Sequence, residues 1–444
     1  MTATRELAAF ASGLAPDALS GAAERMLARA VTDFVACTIA GAATASAKRA
    51  RCAFPDVSGG AAQVLGSEGG APAHVAAFLN AQACHALEFD DLHGPSIYHP
   101  GAPTISAALA VADRTGADAA TLRAAIVAGY EVGIRLGAAA GTAHYARHHT
   151  TGTVGALGAA AAAGRVLGLD AAAMADALGI AVTHAAALWA FLDDKADSKP
   201  FHAAHAAMIG VLAADLAAAG VRGARTGIEG PHGFLATLGG DAASPGLCAG
   251  LGAAPEKITE LTIKAYPCCG HTHTGIAAAG EIRARMAAAR AEPGGIAEIL
   301  VDTYAAAIAV AGAASPATAA EAAFSYPHIV AWVLSHGSLS GAFTETAPHD
   351  PAIARLARRV KLHRCAAFDA AYPASQPVRL AVRMHDGEIF TAEAQYAPGT
   401  PVHPLSDDDF ADKIATLLGP QAGAWTAFAR RRFGLPPDAA GKGA

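Results

Sequence analysis

Histidine, lysine and carboxylate residues gather at four places in this chain, each where an apolar run stops. In HALEFDDLHGPSIYHPGAP, His85, Glu88, Asp90, Asp91, His93 and His99 share a segment that begins with helical spacing and is forced out of it by Gly94, Pro95 and Pro100. A carboxylate beside an imidazole raises its proton affinity and fixes its tautomer, as a general acid or base requires. In ARHHTTGTVGALGAAAAAGRVLGL, His148 and His149 precede Thr150 and Thr151, either of which can cap the helix that follows. The exposed amides of such a helix start attract anions, and His149 stands beside them. In DSKPFHAAHAAMIGVLAADLAAAG, Asp197 or Ser198 can cap, Pro200 suits the first turn, and His202 and His205 follow at helical spacing. Lys199 there sits at the positive end of the helix dipole, where a cation is either solvated or part of an anion site. In IKAYPCCGHTHTGIAAAGEIRARM, Lys264 and Tyr266 leave a strand that Pro267 ends, His271 and His273 follow, and Thr272 or Thr274 starts the next helix.

Each cluster taken alone is also what an ordinary capped helix end carries. If the three helix starts converge, they form a pocket of lysines, imidazoles and amides suited to a small molecule with two or three carboxylates. Competing chemistries lack their signatures. Gly220, Gly223 and Gly227 are not spaced as a dinucleotide fingerprint, and neither a phosphate-binding GK[ST] nor a GxSxG nucleophile elbow occurs. Adjacent Cys268-Cys269 is not the CxxC spacing of structural zinc. By ligand type, His85, Glu88, Asp91 and His93 leave a metal-dependent hydro-lyase open as an alternative.

The elements that must position these residues are mostly helices. From Ala23 to about Gly250, runs such as AAERMLARAVTDFVACTIAG, ATLRAAIVAGYEVGIRLGAAAG and AAMADALGIAVTHAAALWAFL repeat apolar residues three and four apart. Near Pro255 the composition shifts: KITELTIKAY, GIAEILVDTY and PVRLAVRMHDGEIFTAEAQY read as strands, with Asp386-Gly387 marking a hairpin. THTGIAAAGEIRARMAAARA and ATAAEAAFSYPHIVAWVLSHG read as helices between them. The fold class is therefore mainly α: a large all-helical domain over 1–260, a smaller α+β domain over 261–400, and C-terminal helices over 401–444, including DDDFADKIATLLG, that pack back on the helical domain. The last residues, PPDAAGKGA, are expected to fray.

The 444 residues are 53% hydrophobic but only 6% aromatic, and alanine is the commonest residue by a wide margin, so small side chains fill the core. Net charge is −6 and no basic run exceeds Arg430-Arg431-Arg432, which removes the electrostatic basis for nucleic-acid binding. Mean hydropathy is +0.31; the long uncharged stretches are broken by Pro, His and Thr, which argues against a membrane span. Seven scattered cysteines are expected as free thiols, and the N-terminal residues lack the apolar block of a signal peptide, pointing to the cytoplasm.

HALEFDDLHGPSIYHPGAP, HTTGTVGALGAAAAAGRVLGL, KPFHAAHAA, IKAYPCC and FSYPHIVA resemble, in order and context, the motifs of the MmgE/PrpD family, over nearly the whole chain. The resemblance implies a large helical domain, a smaller α+β lid domain, a homodimer, and dehydration, decarboxylation or epimerisation of small carboxylic acids without metal or organic cofactor. Glu88 occupies the family's usual first aspartate of DFDD and His99 its histidine before proline. His149, Lys199 and Lys264 match its active-site histidine and two lysines. Thr151, His202, His271 and His328 are expected to bind substrate. Three positions depart from the pattern: Glu88 is one methylene longer than aspartate, Leu92 stands where threonine is frequent, and His328 where tyrosine is common.

The expected activity is that of a cofactor-independent lyase acting next to a carboxylate of a small di- or tricarboxylic acid. The lysines would stabilise an enediolate-like intermediate, His99 and His149 would move protons, and Glu88 would orient an imidazole or a substrate hydroxyl. The alternatives are an epimerase or isomerase in the same pocket and a non-catalytic carboxylate-binding protein.

Overall fold

The computed structural model describes residues 2–55, 59–193, 196–239, 246–254 and 256–436. Residues 437–444, most of the tail expected to fray, lie outside them. Two compact units result, one of residues 1–263 with 405–444, the other of residues 264–404.

The first unit opens with helices α1 (Ala3–Gly13), α2 (Gly21–Gly41) and α3 (Ala45–Cys52), then a two-residue ladder of β1 (Ala62–Gln63) and β2 (Gly70–Ala71). It continues through α4 (Ala73–His85), α5 (Gly101–Thr115), α6 (Ala119–Tyr145), α7 (Thr150–Val166), α8 (Ala171–Ala181), the short α9 (Ala190–Asp193), α10 (Pro200–Ala218) and α11 (Phe234–Leu238). Helix starts are set by local chemistry: Ser20, Thr44, Asp118 and Asp170 each accept a hydrogen bond from the backbone N–H three residues on.

Helix α7 is the centre of this unit, buried over nearly its whole length and packed by α5, α6 and α10. Its Gly and Ala content makes that possible. A Cβ on Gly129 of α6 would lie 2.5 Å from the Gly158 carbonyl oxygen of α7, and one on Gly210 of α10 would lie 2.3 Å from the Ala159 methyl. Backbones this close leave no room for larger residues. Helix α10 is long and apolar enough to cross a membrane by length and composition, yet 56% of that stretch is buried within the protein, against α4, α5, α7 and α8.

In the second unit, α12 (His273–Ala288) precedes β3 (Ile296–Thr303), followed by α13 (Ala305–Ala311), α14 (Ala319–Ala322), α15 (Tyr326–His336), α16 (Pro351–Ala357), β4 (Val360–Arg364), α17 (Ala366–Ala371), β5 (Val378–Met384) and β6 (Ile389–Ala394). The sheet order is β4-β3-β5-β6, with β3 and β4 parallel and the other pairs antiparallel. Val378, Leu380, Val382 and Met384 of β5 face the core, while Arg379 and Arg383 face outward and pair with Asp302 and Glu298 of β3. The chain then returns to the first unit with α18 (Asp407–Leu418), capped by Ser406, and α19 (Ala422–Phe433), both against α2.

The mainly helical class with a small sheet-containing part is what the periodicity gives, and the Asp386-Gly387 hairpin forms between β5 and β6. All seven cysteines are free. Three local expectations are corrected, and one strand, β4, was not anticipated. KITELTIKAY forms no strand: Lys257–Glu260 is a 3-10 turn closed by a Lys257–Glu260 ion pair of 2.6 Å, and Thr262 makes only an isolated bridge to Leu92. An alternating run without a neighbouring strand gives way to local bonds. AAMADALGIAVTHAAALWAFL breaks after α8, because Ala187 and Leu188 supply backbone partners to His149 and His148. ATAAEAAFSYPHIVAWVLSHG breaks before Tyr326, where Pro327 removes a helical donor and Ser325 caps α15. The parallel strand β4, VKLHR, is too short and too exposed to show a clear alternation.

Candidate active site

The site elements of the first unit are the end of α4 and the starts of α7 and α10, three helices that pack around α5. Helix α4 ends at His85, and Glu88 takes a left-handed backbone conformation, φ +53°. The chain beyond is held by main-chain bonds between Leu92 and Thr262, 2.9 and 2.7 Å, and between His93 and Tyr98, 2.8 and 3.3 Å. Asp91 then fixes the entry to α5, accepting from the Gly101 N–H at 2.8 Å and from the Tyr130 hydroxyl at 2.6 Å. A Cβ on Gly101 would lie 2.7 Å from that carboxylate, so only glycine permits the bond.

Asp90 Oδ2 lies between two imidazoles, 2.8 Å from His85 Nδ1 and 3.5 Å from His99 Nδ1. The ring of His85 meets that of His99 edge-on at 4.8 Å and stacks on that of His149 at 5.6 Å. His149 Nδ1 is in turn 3.1 Å from His202 Nδ1, and the His149 ring is 5.2 Å from Trp189. Lys199 Nζ is ion-paired with Glu88 Oε1, and both are buried. Glu88, His99, His149, Thr151, Lys199 and His202 thus belong to one cluster.

Burial alone would raise the Asp90 carboxyl; His85 and His99 outweigh it and hold the group well below the usual carboxylate range. Asp90 is therefore a carboxylate that accepts from His85 Nδ1–H, and His99 turns Nδ1 toward the same oxygen at 3.5 Å, which leaves Nε2 of His99 as the atom placed to take or give a proton. Burial, the Lys199 charge and the neighbouring imidazoles hold His149 well below its ordinary value, and burial with His85 and Lys199 brings His202 down to about 4. Both rings are neutral near pH 7, one Nδ1 donating to the other. Neutral imidazoles, one ammonium–carboxylate pair and a buried Asp–His pair are the equipment for moving protons beside a bound anion.

The helix-cap expectations are corrected. His149, not a threonine, is the N-cap of α7, and Thr151 accepts instead from the His99 N–H at 3.2 Å, tying the loop to α7. Lys199 is the N-cap of α10 and Pro200 its first residue. The set His85, Glu88, Asp91 and His93 is not gathered, since Glu88 turns to Lys199, Asp91 to α5, and His93 to Ser96 at 2.8 Å and Glu260 at 3.0 Å. Among the described residues, the one trio spaced to hold a cation is His85, Asp90 and His99, whose ligand atoms lie within 4.8 Å of one another. Asp90 Oδ2 facing two Nδ1 atoms is equally the geometry of hydrogen bonds.

Lys264, His271 and His328 belong to the second unit. Lys264 is fully buried at its first position. His271 Nδ1 is 2.8 Å from the Tyr304 hydroxyl, and His328 Nε2 donates to the Ala342 carbonyl at 3.0 Å. Asp90, noted in the sequence as a carrier of polar chemistry but not assigned a role, and His85, considered there only as a metal ligand, join the cluster. Their five-residue separation across a helix end was the available signal. Trp189 carried none.

Asp91 has a separate consequence. Burial pushes its carboxyl up to about 7, against the donors Tyr130 and Gly101. The protonated form is favoured in the folded state, so this stabilisation is full below about pH 4 and is lost as pH rises through about 7. Asp91→Asn, which mimics the protonated carboxyl, is expected to keep the fold and flatten the pH dependence of urea stability between pH 5 and 8 by roughly 2–4 kcal/mol. An unchanged profile would mean that Asp91 is ionised in the native protein.

The family model described as MmgE/PrpD N-terminal domain matches residues 5–245, and that described as MmgE/PrpD C-terminal domain matches residues 266–429. Among curated proteins, cis-aconitate decarboxylase of Homo sapiens is 28% identical over 371 residues, covering 77% of this chain and 72% of that protein. The Mus musculus protein of the same name is 27% identical over 366 residues, 77% and 71% of the two chains. That of Aspergillus terreus is 31% identical over 298 residues, 64% and 60%.

Proposed function

Since this chain belongs to the MmgE/PrpD family, we propose that it is a lyase that decarboxylates a small unsaturated tricarboxylate of the cis-aconitate kind. The observation that carries the reading is the joining of His99, held on Asp90, with neutral His149 and the Lys199–Glu88 pair in one buried cluster. The names of the relatives support the reaction class.

In this reading the bond to one carboxylate breaks and carbon dioxide leaves. Its electron pair enters the adjacent double bond and spreads into a remaining carboxylate as an enediolate-like charge. Lys199 stabilises that charge, partly released from Glu88 as the anionic substrate arrives. A histidine, His99 or His149, delivers one proton to the far carbon of the allylic system and recovers it from water. No cofactor enters the scheme, because the carboxylate next to the reacting carbon is itself the electron sink.

Proton NMR in heavy water, with chelator present, tests the proposal on a panel of aconitates, methylcitrates, hydroxy dicarboxylates and iminodisuccinate. The expected result is loss of carbon dioxide from cis-aconitate with one deuteron in the product. Release of water, or deuterium entering an otherwise unchanged substrate, would assign the same site to a dehydratase or an epimerase. Thermal stabilisation without chemical change would leave a carboxylate-binding protein. Activity abolished by chelator would move His85, Asp90 and His99 to a metal role.

A further inference from the structure

The cluster is supported from a part of the chain more than three hundred residues away. Lys413, on α18, is buried and donates from Nζ to the main-chain carbonyl of Phe89 at 2.9 Å. The same ammonium pairs with Asp33 of α2 at 2.6 Å and lies 4.1 Å above the Phe89 ring. Asp33 is 1% exposed and Lys413 5%. Phe89 stands between Glu88, which holds Lys199, and Asp90, which holds His85 and His99.

A buried ion pair is weak evidence for stability, since apolar residues of the same volume often serve the fold as well or better. Glu88 is a non-glycine residue in a left-handed conformation, φ +53°, a geometry that persists only where its surroundings impose it. Lys413 grips the carbonyl of the next residue, Phe89. The plane of the Phe89–Asp90 peptide ends at the Asp90 Cα, and it is one peptide removed from Glu88, so holding it restrains the backbone from which both side chains leave.

We propose that Lys413 is a positioning residue: its ammonium, whose charge Asp33 neutralises, holds the Phe89 carbonyl so that Glu88 and Asp90 are aimed at Lys199 and at the His85–His99 pair. The kinetic part of this inference rests on the function proposed above; the geometric part does not. The C-terminal helices would then be part of the catalytic apparatus without touching substrate.

The test compares the wild-type protein with the variants Lys413→Met, Asp33→Asn/Lys413→Met, Lys413→Arg and Asp33→Asn. The readouts are thermal midpoint, kcat and KM for cis-aconitate, and the downfield NMR resonances of imidazole protons bonded to Asp90. The double variant, which leaves no unpaired buried charge, is expected to melt within a few degrees of wild type while kcat falls about tenfold to hundredfold, with KM changed less. Its Asp90-bonded resonances shift or broaden, and Lys413→Arg recovers most of the loss. Asp33→Asn keeps the bond to Phe89 and holds kcat near wild type even if it melts lower, so it carries the test should the double variant not fold. A folded double variant with wild-type kcat and unmoved resonances would overturn the proposal, as would Asp33→Asn losing kcat as severely as Lys413→Met. If wild type does not turn over cis-aconitate, the proposed function fails, and the resonances alone still decide the role of Lys413.

Discussion

Replacing His99 by alanine is expected to lower kcat for cis-aconitate by about 10²–10⁴-fold while the protein stays folded. The magnitude is that of a general acid removed from a step that cannot finish without a proton. The fold survives because His99 lies on the irregular segment before α5, whose path is fixed by the main-chain bonds of Leu92 and His93 and by Asp91 on Gly101. The same substitution removes one of the two imidazoles that hold Asp90 ionised, while His85 remains at 2.8 Å. Asp90→Asn should be similar in kind. An asparagine that turns its amide toward His99 Nδ1 inverts the tautomer and takes the proton-carrying role from Nε2. The check is kcat and KM together with circular dichroism. A folded His99→Ala variant with a wild-type rate removes this histidine from the mechanism and leaves the proton to His149.

Lys199→Met should cost about 10²–10³-fold in kcat/KM, for two reasons that a double variant separates. The substitution removes the cation opposite the developing charge, and it leaves Glu88 as a buried carboxylate without its counter-ion, worth about 3–5 kcal/mol when one partner of such a pair is lost. Glu88→Gln/Lys199→Met removes both charges. It is expected to regain the thermal stability lost by Lys199→Met while remaining nearly inactive. Glu88→Gln alone takes the Glu88 charge from beside Lys199 and should tighten the binding of non-reacting tricarboxylates in titration calorimetry. If the double variant recovers activity along with stability, Lys199 serves only to neutralise Glu88.

Much of this was legible in the chain. Ala- and Gly-rich runs with apolar residues three and four apart can bury themselves only as closely packed helices, and the Asp386-Gly387 turn between alternating runs can only be a hairpin. Histidines and lysines at the ends of such runs had to lie at helix termini, where His149 and Lys199 are found. Element breaks were less legible. They depend on partners distant in sequence: the backbone around Ala187 is drawn off α8 by His149, and Thr262 finds one bridge to Leu92 instead of a strand.

Residue types and spacing determined by themselves which side chains stand at helix ends, because helical periodicity is a local property of the chain. They determined neither the Asp90 charge shared by His85 and His99, nor the protonated preference of Asp91, nor the reach of Lys413 to Phe89. Those were decided by the tertiary structure alone. A pKa follows from burial and from charges a few ångströms away, and only packing brings such groups together from 33, 89 and 413 in the chain.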